Sequence, residues 1–234
     1  MEKSERVKDW KSYERPAVTV DMVIFTIEKN ELKVLLVKRA IEPAKGAWNL
    51  PGGFVIIEES LEGAAKRVLR DKTGVGNIYL EQLYTFGDPK RDSRGRVITV
   101  AYIALVNFND VTLKSSKDVL GAEFFSVKKT PPLAFDHKEI LNYALKRLKW
   151  KFEYTPVAFS LLEKRFTLAQ VLKLYEIVFS DSFDKRNFMK KILSLNILNK
   201  EGIKKDVSHR PPMLYSLKKN ISEITEIISN PNSV

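Results

Sequence analysis

Residues 48–59 read Trp48-Asn49-Leu50-Pro51-Gly52-Gly53-Phe54-Val55-Ile56-Ile57-Glu58-Glu59, and Arg67 and Gly74-Val75 follow. Two glycines after a proline let backbone amides come close to an anionic group such as a diphosphate. The stretch Ser60 to Lys72 that follows reads as a helix, opened by the capping residue Ser60 and closed by Gly74. Arg67 lies eight residues after Glu59 and is placed to pair with it, holding loop against helix.

Five residues separate Gly53 from Glu59, seven separate Glu59 from Arg67, and six separate Arg67 from Gly74. This spacing resembles the Nudix box, and the resemblance runs over roughly residues 14–150. It implies a Nudix-fold α/β/α sandwich. In active members of that family three glutamates on one face of this helix hold Mg²⁺ or activate water. The matching positions here are Val68, Asp71 and Lys72, which share a face at i, i+3 and i+4. One carboxylate has become apolar and another a cation. Mg²⁺ requires anionic oxygen ligands. Two unit charges about 4 Å apart interact by about 4 kcal/mol at an effective dielectric near 20, and exchanging an anion for Lys72 beside a dication reverses more than that. The expectation is therefore no catalytic residue, no metal ligand and no cofactor, although Glu58, Glu59 and Glu62 leave a rearranged metal site open.

Outward from this stretch, Val18–Ile27 and Leu32–Val37 are aliphatic, β-branched runs around Glu28-Lys29-Asn30-Glu31, the pattern of a hairpin. Val97–Phe108 is a further strand. Before it stands Tyr84-Thr85-Phe86-Gly87-Asp88-Pro89-Lys90-Arg91-Asp92-Ser93-Arg94-Gly95-Arg96, similar to a segment of Nudix-family ADP-ribose pyrophosphatases. Arg91 and Arg94 suit bidentate phosphate contacts, and Asp88 or Asp92 suits ribose hydroxyls. A solvated, charged loop is the alternative. The expected ligand residues are Arg39, Gly52, Gly53, Phe54, Glu59, Asp88, Arg91, Asp92 and Arg94. Asp136-His137 reads as a helix N-cap with a neighbouring histidine rather than a catalytic pair, and Trp48 as packing rather than a base-stacking residue.

The second part of the chain changes character. Nine of ten glycines lie at or before Gly121, and lysine dominates later. A helix from Asp136 through Leu141, Ala144, Leu145 and Leu148 leads to an expected linker at Trp150–Pro156. After Thr167, apolar residues at 168, 171, 172, 175, 178 and 179 are helically spaced. Ser180-Asp181-Ser182 makes a turn, and a second helix starts near Asp184. Ile197-Leu198 and Leu214–Leu217 are short strands around a polar loop. Helix, turn, helix, hairpin is the order of a winged helix-turn-helix. The expected domains are residues 1–153 and 154–234.

The charge has a location. Forty basic and 29 acidic residues give +11, an excess that favours an anionic partner. Residues 184–219 hold ten basic and three acidic residues, net +7. On the second helix, Phe188, Ile192 and Leu195 face inward and Asn187, Lys190, Lys191 and Ser194 outward. Lys185, Arg186 and Asn187 stand at the end that meets base edges, the lysines supply phosphate attraction, and Lys204, Lys205, His209 and Arg210 lie on the wing. Asp184-Lys185-Arg186-Asn187-Phe188, with Thr167-Leu168-Ala169-Gln170 before it, resembles the C-terminal domain of NrtR-like Nudix-related transcriptional regulators. That resemblance spans about residues 154–219 and adds Thr167 and Gln170 to the DNA-binding candidates.

Composition narrows the remaining classes. Cysteine is absent and histidine occurs twice, which excludes disulfides, thiolate chemistry and His-rich metal sites. No apolar run spans a bilayer. The charged Met1–Arg6 lacks a signal-peptide core, so a cytoplasmic location is expected. The resemblance implies a ligand-responsive transcription regulator, a homodimer on palindromic double-stranded operator DNA, with ADP-ribose or a sugar-type metabolite as effector. The rival expectation is an active ADP-ribose pyrophosphatase with a basic accessory domain. An RNA-associated Nudix protein is disfavoured by the wing and by the absence of an aromatic row on the basic face.

Overall fold

Lys29 and Asn30 both take left-handed φ angles, 51° and 60°. They form the two-residue turn that lets β1 (Ala17–Glu28) fold back on β2 (Glu31–Arg39), with Glu28 opposite Glu31. Such a turn matches the natural twist of paired strands. The computed structural model describes residues 10–76, 78–113, 118–204, 211–219 and 227. Lys205, His209 and Arg210 lie outside them.

The hairpin seeds a seven-stranded sheet ordered β3 (Trp48–Asn49), β2, β1, β6 (Val97–Leu105), β5 (Tyr79–Phe86). β4 (Gly52–Phe54) pairs the start of β1, and β7 (Val119–Ser126) pairs β2. β1 and β6 run parallel. β6 ends at Leu105, short of the expected Phe108, which instead opens the 3-10 turn Phe108–Asp110.

The strands are apolar on both faces, so both faces are covered. Val20, Met22 and Ile24 of β1 join Val100, Tyr102 and Ala104 of β6 beneath α1 (Leu61–Thr73). Val23 and Phe25, with Ala101, Ile103 and Leu105, face α2 (His137–Tyr154). α1 is capped as expected. Ser60 Oγ accepts from the Gly63 N–H at 3.0 Å, and Gly74, at φ 72°, donates to the Arg70 carbonyl.

The expected linker is not one. Trp150–Tyr154 is the last turn of α2, and Pro156–Leu161 is a 3-10 segment. The reason lies in Phe152, Val157, Ala158 and Phe159, all buried. Phe152 extends the fourfold spacing of Ala144 and Leu148, and Pro156 sits at the first position of its segment, where a missing N–H costs nothing.

The second part follows directly: α3 (Leu168–Phe179), α4 (Lys185–Ser194), β8 (Leu198–Ile203) and β9 (Met213–Leu217), the strands paired antiparallel. This is the expected winged helix. Its apolar residues Phe166, Val171, Tyr175, Phe188 and Ile192 belong to the same core as Val23 and Phe25 of the sheet.

Candidate functional site

A cavity of about 680 Å³ opens where β1, β4 and α1 meet the loop before β6 and the start of α2. That volume suits a small organic ligand. Both Gly52 and Gly53 line the cavity, and packing also requires the first of them. A Cβ on Gly52 would lie 2.3 Å from Asp21 Oδ1 and 2.8 Å from the Val20 carbonyl oxygen. β4 is pressed so closely on β1 that only glycine fits beside the Asp21 carboxylate.

Glu59 and Arg67 pair as expected. Arg67 Nε and Nη2 donate to the two Glu59 oxygens at 3.0 and 2.6 Å, and Nη2 also donates to the Phe54 carbonyl. Glu59 further accepts from the Ile56 N–H at 2.8 Å. The Arg67 hydrogen bonds, and then that of Ile56, hold the Glu59 pKa down at about 2. Glu59 thus clamps the loop and does not line the cavity.

Arg91 was expected on a phosphate and is already engaged. Its Nε and Nη2 donate to Asp136 at 2.7 and 2.8 Å, and Nη2 reaches Asp21 at 3.3 Å. Its side chain is 4% exposed. Burial works against its proton, but the Asp136 and Asp21 carboxylates outweigh it and hold the pKa above the usual value. Asp136 occupies the N-cap position of α2 without making a side-chain capping bond, because its carboxylate is committed to Arg91. His137 Nδ1 accepts from the Leu50 N–H at 2.9 Å, which leaves the ring hydrogen on Nε2. Burial pushes its pKa down, against the pull of Asp21 and Asp136.

At the cavity wall, rings and guanidinium groups alternate. Arg94 lies 5.3 Å from the Phe54 ring and 5.9 Å from the Phe135 ring, and Arg39 lies 5.1 Å from Phe135. Such contacts hold cations and rings face to face. Phe135 takes φ 58°, a left-handed conformation that is costly for a bulky residue. Asp92 accepts from Arg94 Nε and Nη2 at 3.0 and 2.6 Å, a pairing that holds Arg94 at the cavity wall. Arg39 Nε donates to the Pro43 carbonyl at 2.8 Å, while its Nη2 is buried with no hydrogen-bond partner among the described residues. Burial, then the neighbouring Arg94, lowers the Arg39 pKa.

Val68, Asp71 and Lys72 all line the cavity, as their helical spacing requires. Mg²⁺ does not fit this set: Val68 offers no donor and Lys72 repels the ion. Among the described residues no three Asp, Glu or His side chains form a cluster fit for a metal ion. Glu59 is spent on Arg67, and Glu62 pairs with Lys66 at 2.5 Å.

α4 presents the basic surface. Asp184 caps it, accepting from the Asn187 N–H at 2.7 Å. Phe188 and Ile192 are buried and Leu195 is half-buried, whereas Lys185, Arg186, Asn187, Lys190, Lys191 and Ser194 are exposed. Lys204 follows β8, exposed, and donates through its backbone N–H to the Pro212 carbonyl.

Residues 15–144 match the NUDIX domain, and residues 158–217 match the NrtR DNA-binding winged helix domain. The chain is 36% identical over 207 residues to the ADPR responsive transcriptional repressor NtrR of Acinetobacter baylyi, covering 87% of this chain and 82% of the relative. The chain belongs to the NrtR-like Nudix family. The crystal structure of Shewanella oneidensis NrtR complexed with a 27mer DNA superposes with a TM-score of 0.77 at 35% identity, covering 86% of this chain and 93% of that one. An ADP-ribose pyrophosphatase of Methanocaldococcus jannaschii is 38% identical over 149 residues, 64% of this chain and 83% of that enzyme. Among the described residues no helix is long and apolar enough to cross a membrane.

Within this NrtR-like chain the expected residues divide. Arg39, Gly52, Gly53, Phe54, Arg91, Asp92 and Arg94 meet at the cavity, whereas Glu59 and Asp88 do not. Asp88 instead accepts from the Lys90 N–H at 2.7 Å, stiffening its own turn. Trp48 packs edge-on to Phe125 at 4.7 Å. Thr167 is buried and forms a reciprocal capping box with Gln170, so both side chains are used to start α3. Missed entirely were Asp21 and Phe135. The first hides in an aliphatic strand, where an acidic residue was itself a signal. The second gave none, because its role depends on a backbone angle.

Proposed function

We propose that this chain is a DNA-binding repressor whose Nudix-type cavity senses ADP-ribose, or a closely related nucleotide, without hydrolysing it. The observation that carries the reading is the path of α2. The helix begins at the cavity residue His137 and ends with Phe152 packed against Tyr175 of α3, ring centroids 5.2 Å apart. A ligand that shifts the start of α2 therefore moves the base of the DNA-reading unit. The similarity to the Acinetobacter repressor and to the DNA-bound Shewanella structure supports duplex DNA as the partner. We take residues 1–153 as the sensing part, residues 154–234 as the DNA-binding part, and a homodimer as the working form, which pairs two α4 helices with a palindromic site.

In the cavity, the Phe54 and Phe135 rings offer faces for a base, and Arg39 offers an unmatched donor for a phosphate. Hydrolysis would need a metal-bound or base-activated water, and Val68 and Lys72 supply neither. The test uses the full chain and a duplex selected from a random pool. Adding ADP-ribose should change DNA affinity about 5- to 150-fold, and incubation with ADP-ribose and Mg²⁺ should release no AMP. Turnover on the order of 1 s⁻¹ or more would favour the pyrophosphatase reading that the Methanocaldococcus enzyme suggests.

A further inference from the structure

We propose that the outer end of the β8–β9 hairpin, formed by Ile203 and Met213, is an apolar contact for duplex DNA, seated on the deoxyribose edges beside the segment met by α4. This rests on the DNA-binding role proposed above and adds a contact to it that is not electrostatic.

The hairpin has two unlike ends. At its base Tyr215 is buried and exchanges backbone hydrogen bonds with Phe166 at 2.7 and 2.9 Å, while Leu198 and Leu217 pack against the same core. At its outer end Ile203 and Met213 stand opposite each other, 56% and 36% exposed. Apolar residues scattered singly on a surface need no explanation, but these two are paired and held. The Lys204 N–H donates to the Pro212 carbonyl at 2.9 Å, so the strands stay joined beyond them.

A β-bulge decides which way the pair faces. Lys200 stands opposite Tyr215 and Gly202 opposite Leu214, which leaves Glu201 as an extra residue. Gly202 takes φ 100°, a conformation that suits glycine. Directly opposed residues share a face, as do residues two apart on one strand. Lys200 and Ile203 therefore lie on the face of Tyr215 and Met213. Without the extra residue Ile203 would turn to the other face. Glu201, the one carboxylate among the described residues of the hairpin, is on that other face, where it accepts from Ser216 Oγ at 2.5 Å.

Charge then selects the occupant. The apolar pair shares its face with Lys200, and Lys204 adjoins it, both exposed. They belong to the window 184–219, net +7. A second copy would set these cations against themselves. A duplex answers both features at once, with phosphates for the lysines and the C–H edges of deoxyribose for Ile203 and Met213. Apolar side chains beside basic ones are a recurrent means of gripping the minor groove. Only residues 195–197 separate α4 from β8, so the hairpin meets the duplex next to α4.

The test is anisotropy titration of the full chain with a duplex selected from a random pool, over a series of salt concentrations. Ile203→Thr keeps the branched shape and Met213→Gln the length. Each should weaken binding about three- to tenfold, the effect of removing apolar surface from a buried contact. The salt slope should not change, because no phosphate contact is lost, whereas Lys200→Ala should reduce it by about one unit. Melting temperatures should match the unaltered protein, since both side chains are exposed before DNA binds. Unchanged affinity in either folded variant would overturn the inference and leave the DNA-binding role standing. So would a loss of affinity that comes with a reduced salt slope, or with a change of mass in sedimentation, which would make the pair a contact between copies. Failure of the unaltered chain to bind any duplex would overturn the DNA-binding role and this inference together.

Discussion

The Tyr175 hydroxyl donates a hydrogen bond to the Phe152 carbonyl at 3.0 Å. In a continuing helix that carbonyl would accept from residue 156, which is Pro156 and has no N–H. A side chain of α3 thus supplies the donor that the end of α2 lacks. Burial pushes the Tyr175 phenol pKa up, so it remains a donor across the working pH range.

Tyr175→Phe should therefore cost about 1–3 kcal/mol of stability, the penalty for a buried carbonyl left without a partner. It should also weaken the effect of ADP-ribose on DNA affinity while leaving ligand-free DNA binding close to that of the unaltered chain. Chemical denaturation and anisotropy titrations with and without ligand measure the two effects.

Arg91→Ala separates a buried brace from a ligand contact. The substitution leaves the buried Asp21 and the half-buried Asp136 without their cation, and should destabilise the fold by about 3–5 kcal/mol. Arg94→Ala removes a cation that is 37% exposed from an Asp92 carboxylate that is 5% exposed. It should also destabilise the fold, by less because one carboxylate rather than two loses its partner, and should weaken ligand binding. Comparable melting temperatures for the two variants would contradict the assignment.

His137 makes stability depend on pH. Its folded pKa lies below that of an unfolded histidine, about 6.5, because of burial. Above that value both states are neutral and nothing is lost. As pH falls through about 6.5 the unfolded chain gains a proton that the folded chain refuses, so stability declines until the folded pKa is reached. The melting temperature should fall between pH 7.5 and 5.5. His137→Asn, whose side-chain oxygen can still accept from the Leu50 N–H, should flatten that part of the profile.

On α4, Lys190→Ala and Lys191→Ala should weaken binding to every duplex and reduce the salt slope by about one unit each. Arg186→Ala and Asn187→Ala should relax sequence preference at about 1–3 kcal/mol per lost base contact. Anisotropy titrations over a range of salt concentrations, on selected and scrambled duplexes, distinguish the two classes. Four variants that bind the selected duplex like the unaltered protein would remove α4 as the reading helix.

Local order carried most of the fold into view. The hairpin at Lys29-Asn30, α1 between Ser60 and Gly74, and the run from α3 to β9 follow from periodicity and caps that need only neighbouring residues. The Glu59–Arg67 clamp was readable for the same reason, since eight residues of loop and helix bring the two together. The ion pairs of Arg91 were not legible because its partners stand 45 and 70 positions away, and a charged loop does not disclose which carboxylates it will meet. Asp136 shows the same limit: an N-cap position was legible, but not the competing guanidinium. The linker failed on Phe152, whose burial is decided by α3 rather than by its own segment.

The core that joins Val23 and Phe25 of the sheet to Val171 and Ile192 of the winged helix has a thermodynamic meaning. Two modules that match separate families share one cooperative folding unit, and heat should melt them in a single calorimetric transition. Neither half can be loosened without exposing apolar surface of the other. A signal cannot pass as free swinging about a tether. In the homodimer proposed above, it must pass as a small displacement of one nearly rigid body, read out where two such bodies grip the same stretch of DNA.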